Sequence, residues 1–390
     1  MIRNISIGID VGTTTTKVVV GEFLRSPGGG KNPKIIGVGE AETRGMRHGY
    51  VVHPDETVNS IKHAVAQAEK SSGIKVRRAF VAVGGMTLRG DVSAGLAIVS
   101  KADGEVTSLD IEKALEDCEA NLNLGNKKIV QSFPISYRLD GKEVLGRPIG
   151  MRGTKLEIKA IFITCSTQHL EDLLLAINLA GVEVIDIIAS PVAAAHIALS
   201  QKQKLVGGAL VDIGSETTSV AIYENGTLIS LHSFSIGSTD VTNDIALGFK
   251  IPLETAESLK FGNGGEEYSK KKLDEIVSAR LSDIFELIEN HLKKIKRNEL
   301  LPAGIVLAGG GTNLPNLVEF SKSALNLPAE LGKTEMFGNV KTKLRDSSWF
   351  PALGVITIGH DESGYSEKSF FSALKNLKNS LKSSLRQLMP

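Results

Sequence analysis

The scarcity of cysteine, of excess positive charge and of long apolar runs excludes several classes of protein for this sequence. Cys118 and Cys165 are the only cysteines in 390 residues and form no Cys-x-x-Cys pair, so neither a disulfide framework nor a zinc site is predicted, and we interpret both as buried thiols. Lys and Arg number 45 against 44 Asp and Glu, a balance that excludes a broad basic surface for nucleic acid. No run of about 18 apolar residues is present, so no transmembrane span is predicted.

Two further signals are missing. The N-terminal residues enter a strand-like run without the apolar stretch and small-residue cleavage site of a secretory signal, so we expect a cytoplasmic protein. Gly332-Lys333-Thr334 resembles the end of a Walker phosphate loop, but Leu327 stands where that loop requires glycine. A P-loop is therefore not supported.

The length predicts two or more domains, each with its own core. Strand-like and helical spacings alternate as in a doubly wound α/β protein, and the strand pattern of the opening is repeated after residue 207. Residues 87–159 are patterned separately, with a helix at about 109–121 that Ser108 would cap. The predicted strands are 5–9, 18–20, 35–38, 78–85, 160–164, 182–188, 208–213, 218–223 and 227–234, and the other helices are 54–71, 170–180 and one after Pro191.

Two stretches at equivalent places in the halves share an aspartate, a glycine and a run of hydroxyl side chains. They read Asp10-Val11-Gly12-Thr13-Thr14-Thr15-Thr16-Lys17 and Asp212-Ile213-Gly214-Ser215-Glu216-Thr217-Thr218. Glycine lets backbone N–H groups approach an anion, hydroxyls add donors, and an aspartate can hold a hydrated Mg²⁺ ion. One such turn often only connects two strands, whereas two matching turns predict a clamp for a polyphosphate.

The candidate phosphate-binding residues are Gly12, Thr13, Thr14, Thr15, Lys17, Gly214, Ser215, Thr217 and Thr218, with Asp10 and Asp212 as catalytic candidates that hold Mg²⁺ through water. A third motif follows the buried strand at residues 305–308 and precedes a helix from Pro315 onward. Its glycine backbone could receive a flat purine, although a triple glycine alone is more often a tight turn. The candidate nucleoside-binding residues are Gly309, Gly310, Gly311, Thr312 and Asn313.

Together these motifs resemble the phosphate-one, phosphate-two and adenosine motifs of the actin, sugar kinase and chaperone ATPase superfamily, in which ATP and Mg²⁺ lie between two lobes. Residues 43–52, the strand ending in Gly84-Gly85 and the small block that follows are similar to the FtsA family of bacterial division proteins. The resemblance covers nearly the whole chain. It implies an α/β, actin-like two-lobe ATPase fold of duplicated ribonuclease H-like domains, with an inserted subdomain IC and a C-terminal amphipathic helix.

The resemblance also implies a division of the chain. Subdomain IA is expected at residues 1–85 and 160–204, with 346–360 returning to it, and subdomain IC at 86–159. Subdomain IIA is expected at 205–242 and 301–345, and subdomain IIB at 243–300. A linker at 361–367 and the membrane-targeting helix at 368–390 complete the expected order.

Further site residues come from the same resemblance. Gly237 follows the second phosphate motif, and in related ATPases a Glu and a Lys on the next helix line the nucleoside, which here are Glu257 and Lys260. Their spacing fits a surface ion pair on one helix face equally well. In the family the C-terminal peptide of FtsZ, the tubulin-like division protein, docks on subdomain IIB, where Arg280 is the candidate contact.

Two residues depart from the hydrolytic pattern of the superfamily. Ser190 precedes Pro191, where chaperone-type relatives carry a glutamate that orients water, so we expect ATP hydrolysis to be slow or absent. Glu216 adds a negative charge to the second phosphate motif. It either points away from the nucleotide or weakens ATP binding.

The C-terminal residues predict an amphipathic basic helix. Residues 366–390 hold five basic side chains and one acidic one, a charge of +4, and large apolar residues recur every three or four positions. Such a helix suits the interface of an anionic membrane, although a helix packed on protein has the same pattern. The candidate membrane residues are Phe370, Phe371, Leu374, Lys375, Leu377, Lys378, Leu381, Lys382, Leu385 and Arg386.

The resemblance implies an ATP-binding division protein that polymerises with itself and tethers FtsZ filaments to the inner face of the cytoplasmic membrane. Anionic lipid and other division proteins are the further implied partners, and no nucleic acid is expected. A pilus scaffold like PilM and a phosphotransferase like the sugar kinases are the alternatives. The small block and the basic tail argue against the kinase.

Overall fold

The computed structural model describes residues 4–23, 33–263, 267–334 and 342–364. They divide into two compact units, one comprising the chain up to Leu88 and His169–Gly359, and the other built on Arg89–Gln168. The predicted membrane helix at 368–390 lies outside the described residues. Among the described residues, no helix is both long enough and apolar enough to span a bilayer.

The elements follow in chain order. The first are β1 (Asn4–Val11), β2 (Thr15–Phe23), β3 (Lys34–Glu42), β4 (Met46–Arg47), β5 (Tyr50–Val51), α1 (Pro54–Ser72) and β6 (Arg78–Val83). Next come β7 (Arg89–Ile98), α2 (Ser108–Ala120), β8 (Lys127–Leu139), β9 (Lys142–Val144), β10 (Lys155–Ser166), α3 (Thr167–Leu179), β11 (Glu183–Ala189), α4 (Ser190–Ala198) and α5 (Gln201–Val206). The last are β12 (Gly208–Ile213), β13 (Thr218–Glu224), β14 (Thr227–Phe234), α6 (Ser238–Phe249), α7 (Leu253–Lys260), α8 (Lys270–Lys294), β15 (Ile305–Ala308), α9 (Leu317–Leu325), β16 (Ala329–Leu331) and α10 (Phe350–Gly364).

The first unit contains the same sheet twice. One copy has the strand order β11-β6-β1-β2-β3, and the other has β16-β15-β12-β13-β14. In each copy, the three strands that come first in sequence form an antiparallel meander, and the two later strands add in parallel beside the first of them. The predicted duplication of an α/β fold is therefore confirmed.

Helices cover these sheets because their apolar residues fall on one face. In α8, the buried face consists of Leu281, Ile284, Phe285, Ile288 and Leu292, and burying each contributes up to roughly 1.5–3 kcal/mol. α10 lies so close to β1 that a Cβ on Gly8 would come within 2.6 Å of the Ala352 carbonyl oxygen. Glycine is therefore required at this position for the helix to approach the sheet.

The second unit is an antiparallel sheet, β7-β10-β8-β9, with α2 packed on it. The predicted cap of α2 is wrong by one residue. Thr107 precedes the helix, and its N–H and hydroxyl both donate to Asp110, at 2.8 and 2.7 Å, so Thr107 completes a capping box and Ser108 is already helical. The two cysteines are buried, as expected, and burial raises the pKa of Cys118 to about 11 and that of Cys165 to about 12.

Candidate nucleotide site

Each half carries one hairpin turn of the same geometry. In phosphate hairpin 1, the turn between β1 and β2, the Gly12 N–H donates to the Thr15 carbonyl at 3.1 Å. In phosphate hairpin 2, the turn between β12 and β13, the Gly214 N–H donates to the Thr217 carbonyl at 2.8 Å. The register also matches, because Asp10 lies opposite Lys17 and Asp212 lies opposite Ser219.

The third motif joins phosphate hairpin 2 through the sheet. β15 runs parallel to β12, with Ala308 beside Asp212, and the following Gly309 has φ +90°. A side chain at Gly309 would collide with the Asp212 carboxylate and the Ile213 carbonyl. A glycine is therefore needed here for its backbone conformation and for the close approach.

Both hairpins and the start of the third motif line one cavity of about 540 Å³. The predicted site residues in its wall are Asp10, Gly12, Thr13, Thr14, Thr15, Lys17, Asp212, Gly214, Ser215, Thr217, Glu257, Gly309 and Gly310. Threonine and serine hydroxyls and the Lys17 ammonium give this wall hydrogen-bond donors of the kind that a polyphosphate needs. The structure thus brings most of the predicted residues to one place.

The two aspartates share the floor of this cavity and are electrostatically coupled. Burial raises the pKa of Asp10 to about 6, although the nearby Lys17 ammonium lowers it. Burial and then the charge of Asp10 raise the pKa of Asp212 to about 7, again against Lys17. A divalent cation would relieve this repulsion, and since Mg²⁺ usually keeps several waters, two carboxylates suffice as protein ligands.

Lys17 is held in place from two sides. Its Nζ donates to the Thr15 hydroxyl at 2.8 Å and lies 5.7 Å from the centre of the Trp349 ring. The side chain is buried except toward the cavity that it lines. Its charge is therefore directed at the two aspartates and at the space where phosphate oxygens would lie.

Glu257 and Lys260 form the ion pair that their spacing allows, but only Glu257 lines this cavity. The Lys260 Nζ lies 2.7 Å from the Glu257 carboxylate and donates to the Thr242 hydroxyl at 2.8 Å and to the Ser238 carbonyl at 3.3 Å. Its three N–H donors are thereby used. Lys260 positions Glu257 at the cavity wall, and direct contact of Lys260 with a nucleoside stays a prediction.

Five other predicted residues lie behind the wall. The Thr218 hydroxyl donates to the Ile236 carbonyl at 2.8 Å, and the Thr312 hydroxyl donates to the Gly309 carbonyl at 2.8 Å. Gly237 caps α6 against Ser215, and Gly311 packs on Ile213. Asn313 ends the short helix Gly310–Asn313. These residues shape the hairpin and the third motif, and direct contact with a nucleotide stays a prediction for them.

Glu216 turns away from the cavity that the rest of its hairpin lines. Its carboxylate accepts a hydrogen bond from the His48 N–H at 2.6 Å and lies 3.0 Å from the Arg47 Nε. The negative charge of Glu216, whose direction the sequence alone leaves open, is thus compensated by residues of the β4–β5 segment.

Several wall residues were not singled out by sequence reasoning. They are Glu40, Gly49, Leu173, Ser238, Thr239, Phe261, Ser348 and Pro351. Ser348 and Pro351 come from the segment before α10, which carries no phosphate-binding pattern, and only the fold brings them here. Gly84, Gly85 and Ser190 also line the cavity.

Arg280 already has intramolecular partners on α8 and α6. Its guanidinium contacts the Asp244 carboxylate at 2.7 and 3.1 Å and the Asp283 carboxylate at 3.2 Å, and the Asp244 hydrogen bond raises its pKa. A second cavity, of about 1080 Å³, is lined by Val277 and Leu281 of the same helix together with Tyr268 and Phe320, and Arg280 is not in its wall.

The duplicated sheets with paired phosphate hairpins define an actin-like ATPase fold. Among solved structures, the chain is similar to the "PilM-PilN type IV pilus biogenesis complex", with 17% identity over 91% of this chain and 98% of that chain and a TM-score of 0.66. It is also similar to MreB5 of Spiroplasma citri bound to ADP, with 15% identity over 93% and 99% of the two chains and a TM-score of 0.51.

Sequence comparisons identify the family. A family model described as "Cell division protein FtsA" matches residues 209–354, and one described as "SHS2 domain inserted in FTSA" matches residues 85–164. The chain is 30% identical to the cell division protein FtsA of Pseudomonas aeruginosa over 375 residues, 90% of this chain and 88% of that protein. It is also 30% identical to FtsA of Bacillus subtilis over 372 residues, 90% and 82% of the two chains. The chain therefore belongs to the FtsA family of bacterial cell division proteins.

Proposed function

We propose that this member of the FtsA family binds ATP with Mg²⁺ in the cavity between its phosphate hairpins. The observation that carries the proposal is the pair of matching turns, each closed by a glycine-to-threonine hydrogen bond, that place Asp10 and Asp212 in the wall of one cavity. Asp10 and Asp212 would hold Mg²⁺ through water, Lys17 would contact phosphate oxygens, and Gly309 and Gly310 with Glu257 would receive the nucleoside. The bound Mg²⁺ would neutralise the charge of the phosphates and of the two aspartates.

We propose further that ATP acts as a gate for self-assembly and that its hydrolysis is slow or absent. Ser190 lines the cavity at the start of α4, and a serine hydroxyl is a much weaker general base for water than a glutamate. Nucleotide bound in the cavity would bridge the two halves of the first unit and favour the polymer-competent form. Sedimentation of the full chain with ATP, ADP or no nucleotide tests the gate directly.

We also propose that the chain tethers FtsZ to the inner face of the cytoplasmic membrane. The C-terminal residues support this by their sequence alone, because apolar residues and lysines alternate at helical spacing. Each buried apolar side chain contributes at most roughly 1.5–3 kcal/mol and each basic residue about 1 kcal/mol, before the cost of ordering the helix. A single tail would bind reversibly, and tails arrayed along a polymer would bind as one through their effective concentration.

Co-pelleting with vesicles tests the tether. The full chain, a chain lacking residues 366–390, and a full chain in which Lys375, Lys378 and Lys382 are glutamate would each be mixed with FtsZ, ATP and phosphatidylglycerol vesicles. We expect FtsZ to pellet with the vesicles only in the presence of the unaltered chain. We also expect the unaltered chain to bind vesicles of neutral lipid weakly. Equal pelleting of FtsZ by the truncated chain would refute the tether.

We propose that the FtsZ C-terminal peptide binds at α8. Arg280 is held between Asp244 and Asp283, and the cavity lined by Val277 and Leu281 of the same helix could receive aliphatic side chains of a peptide. A peptide carboxylate would share or replace the partners of Arg280. In a fluorescence anisotropy titration with the FtsZ peptide, Arg280→Ala should weaken binding about tenfold, which corresponds to the roughly 1.5 kcal/mol of a charged hydrogen-bonded pair.

Arg297→Ala is the matched control for this experiment. Arg297 contacts Glu224 at 2.7 Å, and its side chain is 33% exposed, close to the 28% of Arg280. We expect this variant to bind the peptide like the unaltered chain. An equal loss of affinity in both variants would point to general destabilisation and would reject the α8 contact.

The PilM-like alternative is supported more weakly. The similarity to the PilM–PilN complex is at 17% identity and concerns the fold alone, whereas the similarity to FtsA proteins extends through both sequence and the inserted domain.

A further inference from the structure

The short β4–β5 segment touches both phosphate hairpins. We call residues Met46–Val51 the bridging hairpin, since β4 and β5 pair antiparallel across a turn at His48 and Gly49. The Gly49 N–H donates to the Thr13 hydroxyl of phosphate hairpin 1 at 3.1 Å. On its other side, the bridging hairpin binds Glu216 of phosphate hairpin 2 through three contacts.

The contacts to Glu216 combine hydrogen bonds with an ion pair. The carboxylate accepts from the His48 N–H at 2.6 Å and pairs with the Arg47 Nε at 3.0 Å. The His48 Nδ1 lies 3.1 Å from the Glu216 carbonyl oxygen, which can only accept, so this nitrogen carries the proton. Both the side chain and the backbone of one turn residue are therefore held by the bridging hairpin.

The bridging hairpin is itself anchored to the loop that follows β6. The Met86 N–H donates to the His48 carbonyl at 3.2 Å, and Gly49 packs directly on Gly85, where any side chain would collide. The turn uses the left-handed conformation twice, with φ +48° at His48 and +82° at Gly49. A turn fixed in this way has little freedom to follow one phosphate hairpin without the other.

Burial distinguishes the Glu216 contacts from ordinary surface pairs. The Glu216 side chain is only 15% exposed, whereas Arg47 is 67% exposed. A largely buried carboxylate such as that of Glu216 needs hydrogen bonds and opposite charge, and removing its partners costs more than breaking a fully exposed pair. The main contact of Glu216 with the bridging hairpin is therefore the hydrogen bond from the His48 N–H, and Arg47 neutralises the remaining charge.

We propose that Glu216 is a positioning residue that ties phosphate hairpin 2 to the bridging hairpin and so fixes its spacing from phosphate hairpin 1. The inference rests on the proposed binding of ATP to both hairpins. If Glu216 has this role, the affinity for nucleotide depends on the contacts of Glu216. Bound nucleotide in turn reduces the mobility of the bridging hairpin. This role also reverses the simple electrostatic expectation, under which a carboxylate near a polyphosphate would only weaken binding.

The sign of the effect of Glu216→Gln on ATP affinity separates these two explanations. Glutamine keeps an oxygen that can accept from His48 and removes the charge. If Glu216 positions the hairpin, Glu216→Gln should bind a fluorescent ATP analogue with Mg²⁺ about threefold to tenfold more weakly, and Glu216→Ala at least about tenfold more weakly. If Glu216 merely repels phosphate, both variants should bind more tightly, which would overturn the inference.

Variants of Arg47 test the ion pair. We expect Arg47→Ala to weaken ATP binding up to about threefold, because the arginine is exposed, and Arg47→Lys to restore it. The double variant Arg47→Ala/Glu216→Gln should bind no more weakly than Glu216→Gln, since the two residues act on one contact. Arg44→Ala is the matched control, because Arg44 pairs with Glu42 at 3.4 Å with both side chains about 70% exposed. It should change nothing.

Hydrogen exchange of residues 46–51 gives a readout that a merely structural role would not move. In the unaltered chain, MgATP should slow amide exchange in the bridging hairpin, and this protection should vanish in Glu216→Ala while thermal unfolding confirms that the variant is folded. Exchange that responds to MgATP equally in both chains would overturn the inference. Failure of the unaltered chain to bind MgATP would instead refute the proposed function and the inference with it.

Discussion

The two phosphate hairpins have the same backbone geometry and different electrostatics. Asp10 faces a lysine across its strand pair, whereas Asp212 faces Ser219. The pKa of Asp212 is raised further than that of Asp10, to about 7 against about 6, because the charge of Asp10 adds to the effect of burial. Phosphate hairpin 1 brings its own cation into the cavity. Phosphate hairpin 2 brings a carboxylate, Glu216, that is neutralised on the outside of the cavity.

The surroundings of the turns differ in the same way. Phosphate hairpin 2 rests on the N-terminus of α6, where the Ser238 and Thr239 N–H groups donate to the Gly214 and Ser215 carbonyls at 2.9 and 2.7 Å. Phosphate hairpin 1 rests on the end of β3, where the Thr43 N–H donates to the Thr14 carbonyl at 2.8 Å. A shared turn can therefore be held by different scaffolds, and the comparison predicts which hairpin is more sensitive to each change.

The largest expected effect is loss of Mg²⁺-dependent binding in Asp212→Asn and in Asp10→Asn. Each change removes one of the two carboxylates that would hold hydrated Mg²⁺, and we expect ATP affinity in Mg²⁺ to fall about 100-fold or more, roughly 3 kcal/mol. Titrations of a fluorescent ATP analogue with Mg²⁺ and with EDTA measure it. Glu286→Gln, an exposed carboxylate on α8, is the control.

Stability should change in the opposite direction in these variants. Because the pKa of Asp212 is raised on folding, its charged form costs free energy at neutral pH, and Asp212→Asn should raise the free energy of unfolding by about 1–3 kcal/mol. The gain should be smaller for Asp10→Asn, whose pKa is raised less. Thermal unfolding without nucleotide at pH 7 measures both, and a loss of stability in Asp212→Asn would contradict the electrostatic comparison.

The pH dependence follows from the same raised pKa values. In the folded chain the aspartates hold protons that the unfolded chain has lost, so stability without nucleotide should fall as pH rises from about 4, the unfolded pKa, through the folded values near 6 and 7. MgATP binding should show the reverse trend. It should weaken about tenfold for each unit of pH between 7 and 6, where one aspartate is protonated, and about 100-fold for each unit below 6, where both are. Isothermal titration in buffers of different ionisation enthalpy should also detect proton release on binding at pH 6.5.

Lys17→Met breaks the asymmetry by removing the cation of phosphate hairpin 1. Methionine keeps most of the buried stem, so we expect the fold to persist and ATP affinity to fall about tenfold. Without the ammonium, the pKa of both aspartates should rise further, and the pH profile of MgATP binding should move upward. Lys113→Met, on the exposed face of α2, serves as control, and an unmoved pH profile in Lys17→Met would contradict the coupling.

The smallest difference between the two hairpins is expected at their first glycines, where their geometry is alike. A Cβ at Gly12 would lie 2.9 Å from the Thr15 carbonyl oxygen, and one at Gly214 would lie 3.0 Å from that of Thr217. Gly12→Ala and Gly214→Ala should each lower the free energy of unfolding by about 1–2 kcal/mol, within about 0.5 kcal/mol of each other. Urea unfolding measures this, and a large difference would mean that the scaffolds behind the turns dominate.

Local patterns in the sequence were sufficient for the class of fold and for much of the site. Strand repeats and paired Asp-x-Gly turns predicted the duplicated sheets. Both the alternation of apolar residues along a strand and a glycine turn are encoded by residues that are adjacent in the sequence. Boundaries were less accurate. The cap of α2 was misplaced by one residue, since Thr107 and Ser108 are both good caps and only the position of Asp110 decides between them.

The sequence alone therefore determined the family, the two phosphate turns and the aspartates that face the cavity, because each is encoded within a few adjacent residues. Only the tertiary structure decided that Glu216 points to Arg47 and His48, that Lys260 also donates to Thr242 and Ser238, and that Ser348 reaches the cavity wall. These outcomes depend on which distant side chain offers a partner to a buried charge or hydroxyl. Such pairings form across sheets and helices and leave no periodic trace in the chain.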